Sequence, residues 1–234
     1  MRYVFLAAAA FLAACATTPV DDRAFEYSPG VAWVAAGEDW ADEAETVFDA
    51  ATEYVLEEAA TRPANSWAVV LDLDETVINN VRYQMEREQL GEGYTPQSWY
   101  DWTQREEATL VPGVEAFLET VNDAGGHVAF VTNRSDSEQL ATENNLAALG
   151  ITRHDDFRVL MTRARPGGAS EKDARYDLVP ALLATQGYPD VSVIAYLGDN
   201  IGDKPANEGD WTFFCIDQGA MYGDPCAAVP GPGR

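Results

Sequence analysis

Apolar positions recur along the chain with two periods, and the periods alternate. Trp40, Ala44, Val47, Phe48, Ala51, Val55 and Ala59 fall three or four residues apart, which predicts an amphipathic helix over residues 39–61. Ala68-Val69-Val70-Leu71 follows as a short unbroken apolar run, the pattern of a strand buried on both faces. A helix is expected over 112–124, with Pro112 near its first turn and Gly125-Gly126 past its end. Next come a strand over 127–131, a helix over 135–149 stopped by Gly150, and a strand over 157–161. A helix over 173–186, kinked by Pro180, and strands over 191–197 and 212–216 complete the series. Strands separated by helical stretches of about ten to fifteen residues specify an α/β chain with a doubly wound parallel sheet. Residues 79–109 are rich in Gln, Glu, Tyr and Trp and show no sheet period. They read as a small helical elaboration over the sheet edge, and no internal repeat is visible.

The first residues belong to a different pattern. Arg2 precedes an apolar run over 4–14 that is too short to span a bilayer, and small residues lead directly into Cys15. This resembles the lipobox of bacterial lipoproteins, against the plainer reading of an ordinary secretory signal with an incidental cysteine. The resemblance implies a signal peptide over 1–14, lipidation of Cys15 and attachment to a membrane through the lipid anchor. Ala16 after the cysteine implies an outer-membrane address, facing the periplasm. Residues 15–29 read as a tether. That leaves 30–234 as a single domain, with helical elaborations at about 30–62 and 79–111.

Composition narrows the function. The chain has 234 residues, enough for one full-sized core, and 47% hydrophobic residues rule out disorder as a whole-chain reading. A formal net charge of -24 argues against any nucleic-acid polymer as a partner. An anionic substrate then requires cations placed locally, and the only lysines are Lys172 and Lys204. His127 and His154 have no ligand spacing and read as solvated, so neither a zinc site nor a Ser-His-Asp nucleophile is supplied. Cys215 and Cys226 stand close enough in sequence for a disulfide, and two free thiols fit equally well.

The chemistry gathers at strand ends. Leu71 leads into Asp72-Leu73-Asp74-Glu75-Thr76, two acids two apart where a buried strand breaks into a loop. An apolar run of four followed by DxDxT should arise by accident only about 0.005 times in such a chain. Two carboxylates so close repel unless a cation binds them. Phe130-Val131 runs into Thr132-Asn133-Arg134, Lys172 begins a helix, and Tyr196-Leu197 runs into Gly198-Asp199-Asn200-Ile201-Gly202-Asp203. In an open parallel sheet these strand ends meet at the topological switch point. Several carboxylates with one lysine suit a hard divalent cation with oxygen ligands, and Mg²⁺ fits.

This order of DxDxT, TNR, Lys and GDNxxD resembles the haloacid dehalogenase superfamily of phosphohydrolases. More narrowly, with Trp99, Trp102, Val111-Pro112-Gly113 and Met221-Tyr222-Gly223-Asp224, it is similar to the class C acid phosphatases, the lipoprotein 5′-nucleotidase group. The resemblance implies a Rossmann-like fold and a Mg²⁺-dependent acid phosphatase acting on small phosphomonoesters, nucleoside monophosphates among them. It implies Asp72 as nucleophile and Asp74 as the acid and base that serves the leaving oxygen and then water. Metal binding falls to Asp72, the Asp74 backbone carbonyl and Asp199. Phosphoryl oxygens fall to Lys172, the Thr132 hydroxyl and the Asn133 backbone N–H, with Asp203 orienting Lys172 or a metal-bound water. Trp99 and Tyr222 stand where the family sandwiches a nucleobase, and packing of the small domain is the competing reading for both. Trp102 is expected to pack. A phosphotransferase of the same superfamily and a non-catalytic acidic lipoprotein are the alternatives in other classes.

Overall fold

The computed structural model describes residues 25–165, 170–223 and 225. In chain order the elements are α1 (Pro29–Ala36), α2 (Glu38–Ala59), β1 (Trp67–Leu71), β2 (Ile78–Asn79), α3 (Val81–Gln89), α4 (Pro96–Thr103), β3 (Thr109–Leu110) and α5 (Val114–Asp123). They continue with β4 (His127–Ser135), α6 (Gln139–Ala148), β5 (Val159–Arg163), α7 (Asp173–Tyr176), α8 (Val179–Thr185), β6 (Ser192–Gly198) and β7 (Thr212–Cys215).

Five strands form one parallel sheet in the order β5-β4-β1-β6-β7. Beginning in the middle, the chain builds outward through β4 and β5, then returns to the other side of β1. The reversal between β1 and β6 is the switch point of a doubly wound sheet, and it leaves a crevice at the carboxyl ends of those strands. Alternation along the central strands feeds two cores. Val69 and Leu71 of β1 join Val128 and Phe130 of β4 in a core beneath α2 and α5. Ala68, Val70, Ala129 and Val131 face the other way, toward Tyr176, Val179 and Leu183 of α7 and α8. The stripe of α2 that carries Trp40, Ala44, Phe48, Ala51 and Val55 is buried in the first core, where Phe48 lies 5.5 Å from Phe117 of α5. Truncating a ring such as Phe117 to Ala would cost about 3–5 kcal/mol.

The segment between β1 and α5 forms a cap. β2 and β3 pair antiparallel, with Asn79 opposite Thr109, and α3 and α4 lie between them. A capping box starts α4: Thr95 accepts from the Ser98 N–H at 3.0 Å and the Ser98 hydroxyl accepts from the Thr95 N–H at 3.2 Å. The end of the expected tether is docked on this cap. The Ser28 N–H donates to Glu88 at 2.9 Å, and Gln89 donates to the Tyr27 hydroxyl at 2.5 Å. Cys15 and the signal segment lie outside the described residues, as do Asp224 and Cys226; Cys215 is disulfide-bonded. Among the described residues no helix is long and apolar enough to cross a membrane.

Two expectations change. The helix expected over 173–186 is two short helices, because Pro180 sits in the first turn of α8, where its missing N–H and fixed φ suit a helix start. His127 is buried at 2% exposure rather than solvated, covered by the Tyr188 ring at 4.1 Å. Burial, with Arg158 nearby, holds the His127 imidazole below its ordinary value. The unfolded chain therefore binds this proton more readily than the folded one. Stability should be complete above the ordinary histidine value near 6.5 and fall as pH drops through it toward the folded value. Urea unfolding of the parent from pH 7 to pH 5 should lose more free energy than the same titration of His127→Gln. Parallel curves would show that His127 protonates equally in both states.

Candidate active site

The loop after β1 sets the geometry. The Asp72 N–H continues the parallel ladder by donating to the Leu197 carbonyl at 2.9 Å, which fixes Asp72 at the β1/β6 crevice. Beyond it, the Leu73 carbonyl accepts from the N–H groups of Thr76, Val77 and Ile78 at 3.2, 2.8 and 2.9 Å. Glu75 closes that turn at φ 56°, a left-handed conformation that is costly for a side chain this large. Its carboxylate compensates by accepting the Asn80 N–H at 2.6 Å and the Tyr222 hydroxyl. Burial, reinforced by neighbouring Asp74, pushes the Glu75 carboxyl up to about 7.

Lys172 enters the crevice at the start of α7, 2% exposed. Its ammonium donates to Asp72 and, at 2.6 Å, to Asp203. The loop after β6 brings Asp203 back: a 3-10 turn over Ile201–Asp203 lets Asp203 accept the Asn200 N–H at 3.2 Å. The Tyr176 hydroxyl donates to the Asp203 carbonyl at 2.9 Å. Asp72, Asp199 and Asp203 are all buried, and one carboxylate oxygen from each lies within 4.8 Å of the others.

One ammonium faces three carboxylates here. Burial would push the Lys172 ammonium down, but the charges of Asp72 and Asp203 overcome it and hold it above its ordinary value. Burial raises both Asp72 and Asp199, and the neighbouring carboxylates raise them further. A divalent cation would relieve that excess of negative charge, and three closely spaced carboxylate oxygens are the hard donor set such an ion takes.

Thr132 and Asn133 stand where β4 loses register with β5, between Val131 and Ser135. Arg175 holds them from below, donating to the Thr132 carbonyl and, at 2.6 Å, to Asn133 Oδ1. Arg134 crosses to the first loop and ion-pairs with Asp74 at 2.8 Å. Trp99 of α4 lies edge-on to Tyr83 at 5.0 Å, with the Arg134 guanidinium 5.6 Å from its centroid. Trp102 is buried, its indole N–H donating to Asn80 Oδ1 at 2.9 Å, and so acts in packing. The Tyr222 hydroxyl reaches the site by donating to Glu75.

The haloacid dehalogenase (HAD) superfamily, subfamily IIIB (acid phosphatase), matches residues 17–224. The chain belongs to this family. It is a phosphomonoesterase of that superfamily. Among solved structures, the class C acid phosphatase from Bacillus anthracis superposes with a TM-score of 0.66 at 23% identity, covering 83% of this chain and 84% of that one. The class C acid phosphatase from Bacillus anthracis with tungstate bound gives a TM-score of 0.64 at 23% identity with the same coverage. At that identity the likeness concerns the fold, and the five-stranded parallel sheet with flanking helices is the fold they share.

In this phosphatase the sequence motifs converge: Asp72, Lys172, Asp199 and Asp203 meet in one buried cluster. Sequence reading missed the second tier of residues, namely Glu75, Asn80, Arg134 and Arg175. Arg134 closes the Thr132-Asn133-Arg134 run with no role legible there, and Asn80 carries no signal in the sequence.

Gly198 shows how tightly the cluster is built. A Cβ there would lie under 3.0 Å from Cβ, Cγ and Oδ2 of Asp203. Gly198→Ala should displace Asp203 and with it Lys172, costing roughly 1–3 kcal/mol of overpacking and at least tenfold in phosphatase kcat. At Gly202 an added Cβ meets, among the described residues, only Asn200 Oδ1, at 3.7 Å, so Gly202→Ala should keep stability and activity near the parent. Thermal unfolding and turnover of the two variants, compared directly, check this. Equal losses in both would mean that the contact with Asp203 does not matter.

Proposed function

We propose that the enzyme is a Mg²⁺-dependent acid phosphatase that hydrolyses phosphomonoesters, nucleoside monophosphates among them, through an aspartyl-phosphate. The observation that carries this reading is the Lys172 ammonium between Asp72 and Asp203 at the switch point, with Asp74 held two residues away. Asp72 attacks phosphorus, and an aspartyl-phosphate forms as the ester P–O bond breaks. Asp74 gives its proton to the departing oxygen. Water then loses a proton to Asp74 and attacks phosphorus, releasing phosphate and restoring the Asp72 carboxylate. Lys172, the Thr132 hydroxyl and the Asn133 N–H hold phosphoryl oxygens where negative charge develops. Asp203 keeps Lys172 aimed. Asp72, Asp199 and the Asp74 backbone carbonyl would hold Mg²⁺, which supplies charge neutralisation for the meeting of two anions. The tungstate in the Bacillus anthracis structure, a tetrahedral oxyanion, accords with a phosphoryl site on this fold.

Asp72→Asn should abolish phosphate release, since an amide is neither a nucleophile nor a strong metal ligand. A chelator should silence the parent and added Mg²⁺ should restore it, read as phosphate released from a panel of monoesters. Full activity of Asp72→Asn would overturn the aspartyl-phosphate; full activity in chelator would overturn the metal requirement.

Nucleotide preference rests on Trp99 and Tyr222, whose contacts flank Asp74 and Glu75. If each ring stacks on a base, its loss removes roughly 1–3 kcal/mol of binding remote from phosphorus. Trp99→Ala and Tyr222→Ala should then raise KM for nucleoside monophosphates about five- to 150-fold and leave glycerol phosphate nearly unchanged. Tyr222→Phe keeps the ring while removing the bond to Glu75, so it should keep the nucleotide preference. Equal losses on both substrates would make the rings packing groups.

The lipobox-like segment ending in Cys15 supports a lipid-anchored enzyme of the bacterial cell envelope, at the outer membrane facing the periplasm. Cys15→Ser should release active enzyme from the membrane fraction or accumulate as precursor. Fully processed Cys15→Ser still partitioning into detergent would remove the anchor.

A further inference from the structure

Arg134 belongs to no step derived so far, yet it is among the most buried large side chains, at 1% exposure. All its nitrogens are engaged. Nη1 donates to Thr142 of α6 at 3.1 Å, and Nη2 donates to Asn80 Oδ1 at 3.2 Å. Toward Asp74 the fork is lopsided. Oδ1 accepts Arg134 Nη2 at 2.8 Å, Arg134 Nε at 3.0 Å and Asn80 Nδ2 at 3.0 Å. Oδ2 accepts Arg134 Nε at 3.3 Å and, among the described residues, no other donor. Three donors saturate one oxygen of a carboxyl that has two, so the oxygen with capacity left to carry a proton is Oδ2.

The same fork reaches the cap. Asn80, which shares Oδ1 with Arg134, also accepts the Trp102 indole N–H, and the Arg134 guanidinium lies beside the Trp99 ring. The chain thus links α6, the Asp74 carboxyl and both cap tryptophans through one buried cation.

We propose that Arg134 is a positioning residue: with Asn80 it pins Oδ1 of Asp74, so that Oδ2 faces the leaving group and delivers the proton. The inference rests on the reading of Asp74 as the general acid and adds which oxygen acts and what aims it. As the P–O bond breaks and the Asp72–phosphorus bond forms, the proton on Oδ2 passes to the ester oxygen, which leaves as the neutral alcohol. The ionised carboxyl stays on the Arg134 fork until water returns a proton.

A positioning role of this kind shows in how rate depends on the leaving group, which a merely structural role would not alter. A good leaving group departs without a proton, and a poor one needs it. The experiment measures kcat/KM for a series of aryl and alkyl phosphates of rising leaving-group pKa, at one pH and saturating Mg²⁺. It compares the parent with Arg134→Gln, Arg134→Lys and Asp74→Asn. Arg134→Gln should lose about ten- to a hundredfold more on the poorest leaving group than on the best, a part of the 10²–10⁴-fold expected of the whole proton transfer. Arg134→Lys retains the buried charge without the fork and should fall between Arg134→Gln and the parent. It also gives a readable variant should Arg134→Gln fold poorly. Thr142→Val removes the contact on the far side of the guanidinium, together with the bond from the Thr142 hydroxyl to the Glu138 carbonyl, and should leave the leaving-group dependence as in the parent. Uniform losses across the series for both Arg134 variants, with a steepened series for Asp74→Asn, would overturn the positioning role and leave the general acid standing. An unsteepened series for Asp74→Asn would overturn both.

Discussion

Everything at the crevice follows from burying three carboxylates around one ammonium. Lys172 is held between Asp72 and Asp203, and Asp199 completes the cluster. Charges removed from water are costly unless they are paired and hydrogen-bonded, and among the described residues of this cluster the carboxylates outnumber the ammonium. Removing the ammonium from such a cluster would leave uncompensated buried charge, a cost of about 3–5 kcal/mol before any effect on turnover. The same imbalance makes the crevice receptive to a divalent cation, while the rest of the surface, with its large negative charge, stays unattractive to anions. With such an ion bound, an anionic ester would meet its counter-charge in the crevice.

Neighbouring structure exists to hold that arrangement. β1 and β6 lie side by side so that Asp72 and Asp199 emerge from adjacent strand ends. The 3-10 turn folds Asp203 back onto Gly198, and Tyr176 holds the backbone of Asp203. Around the first loop a second layer of charge-assisted bonds repeats the logic at longer range. Arg134 holds Asp74, Arg175 holds the end of β4, and Glu75 gathers Asn80 and Tyr222.

Legibility from sequence tracked locality. β1, β4 and β6 were readable because each is an apolar run with an abrupt polar end, and a doubly wound sheet brings such ends together whatever the loops do. The pairing of Arg134 with Asp74 was not readable, since the partners are 60 residues apart and either could have been solvated. Nor was the burial of His127, which depends on Tyr188 arriving from a different connection. The helical period over 39–61 revealed a stripe but not that the stripe would share the core of β1 and α5. Pro180 was visible as a disturbance, and only the backbone before it decided between a bent helix and two helices.

The two-stranded stem of the cap has a consequence for how such enzymes diversify. Asn79 and Thr109 are opposite one another, so the chain leaves and re-enters the body one strand spacing apart, about 5 Å. Whatever is inserted between those points adds almost no closure constraint to the sheet or to the catalytic ends of its strands. The body and the inserted piece can therefore drift at different rates. Lengthening or shortening the insert away from the residues that touch Asp74 and Arg134 would leave the ends of β1, β4 and β6 in place. Asn80 and Trp99 limit that freedom, because these insert residues touch the Arg134 fork, and Trp102 is tied to it through Asn80.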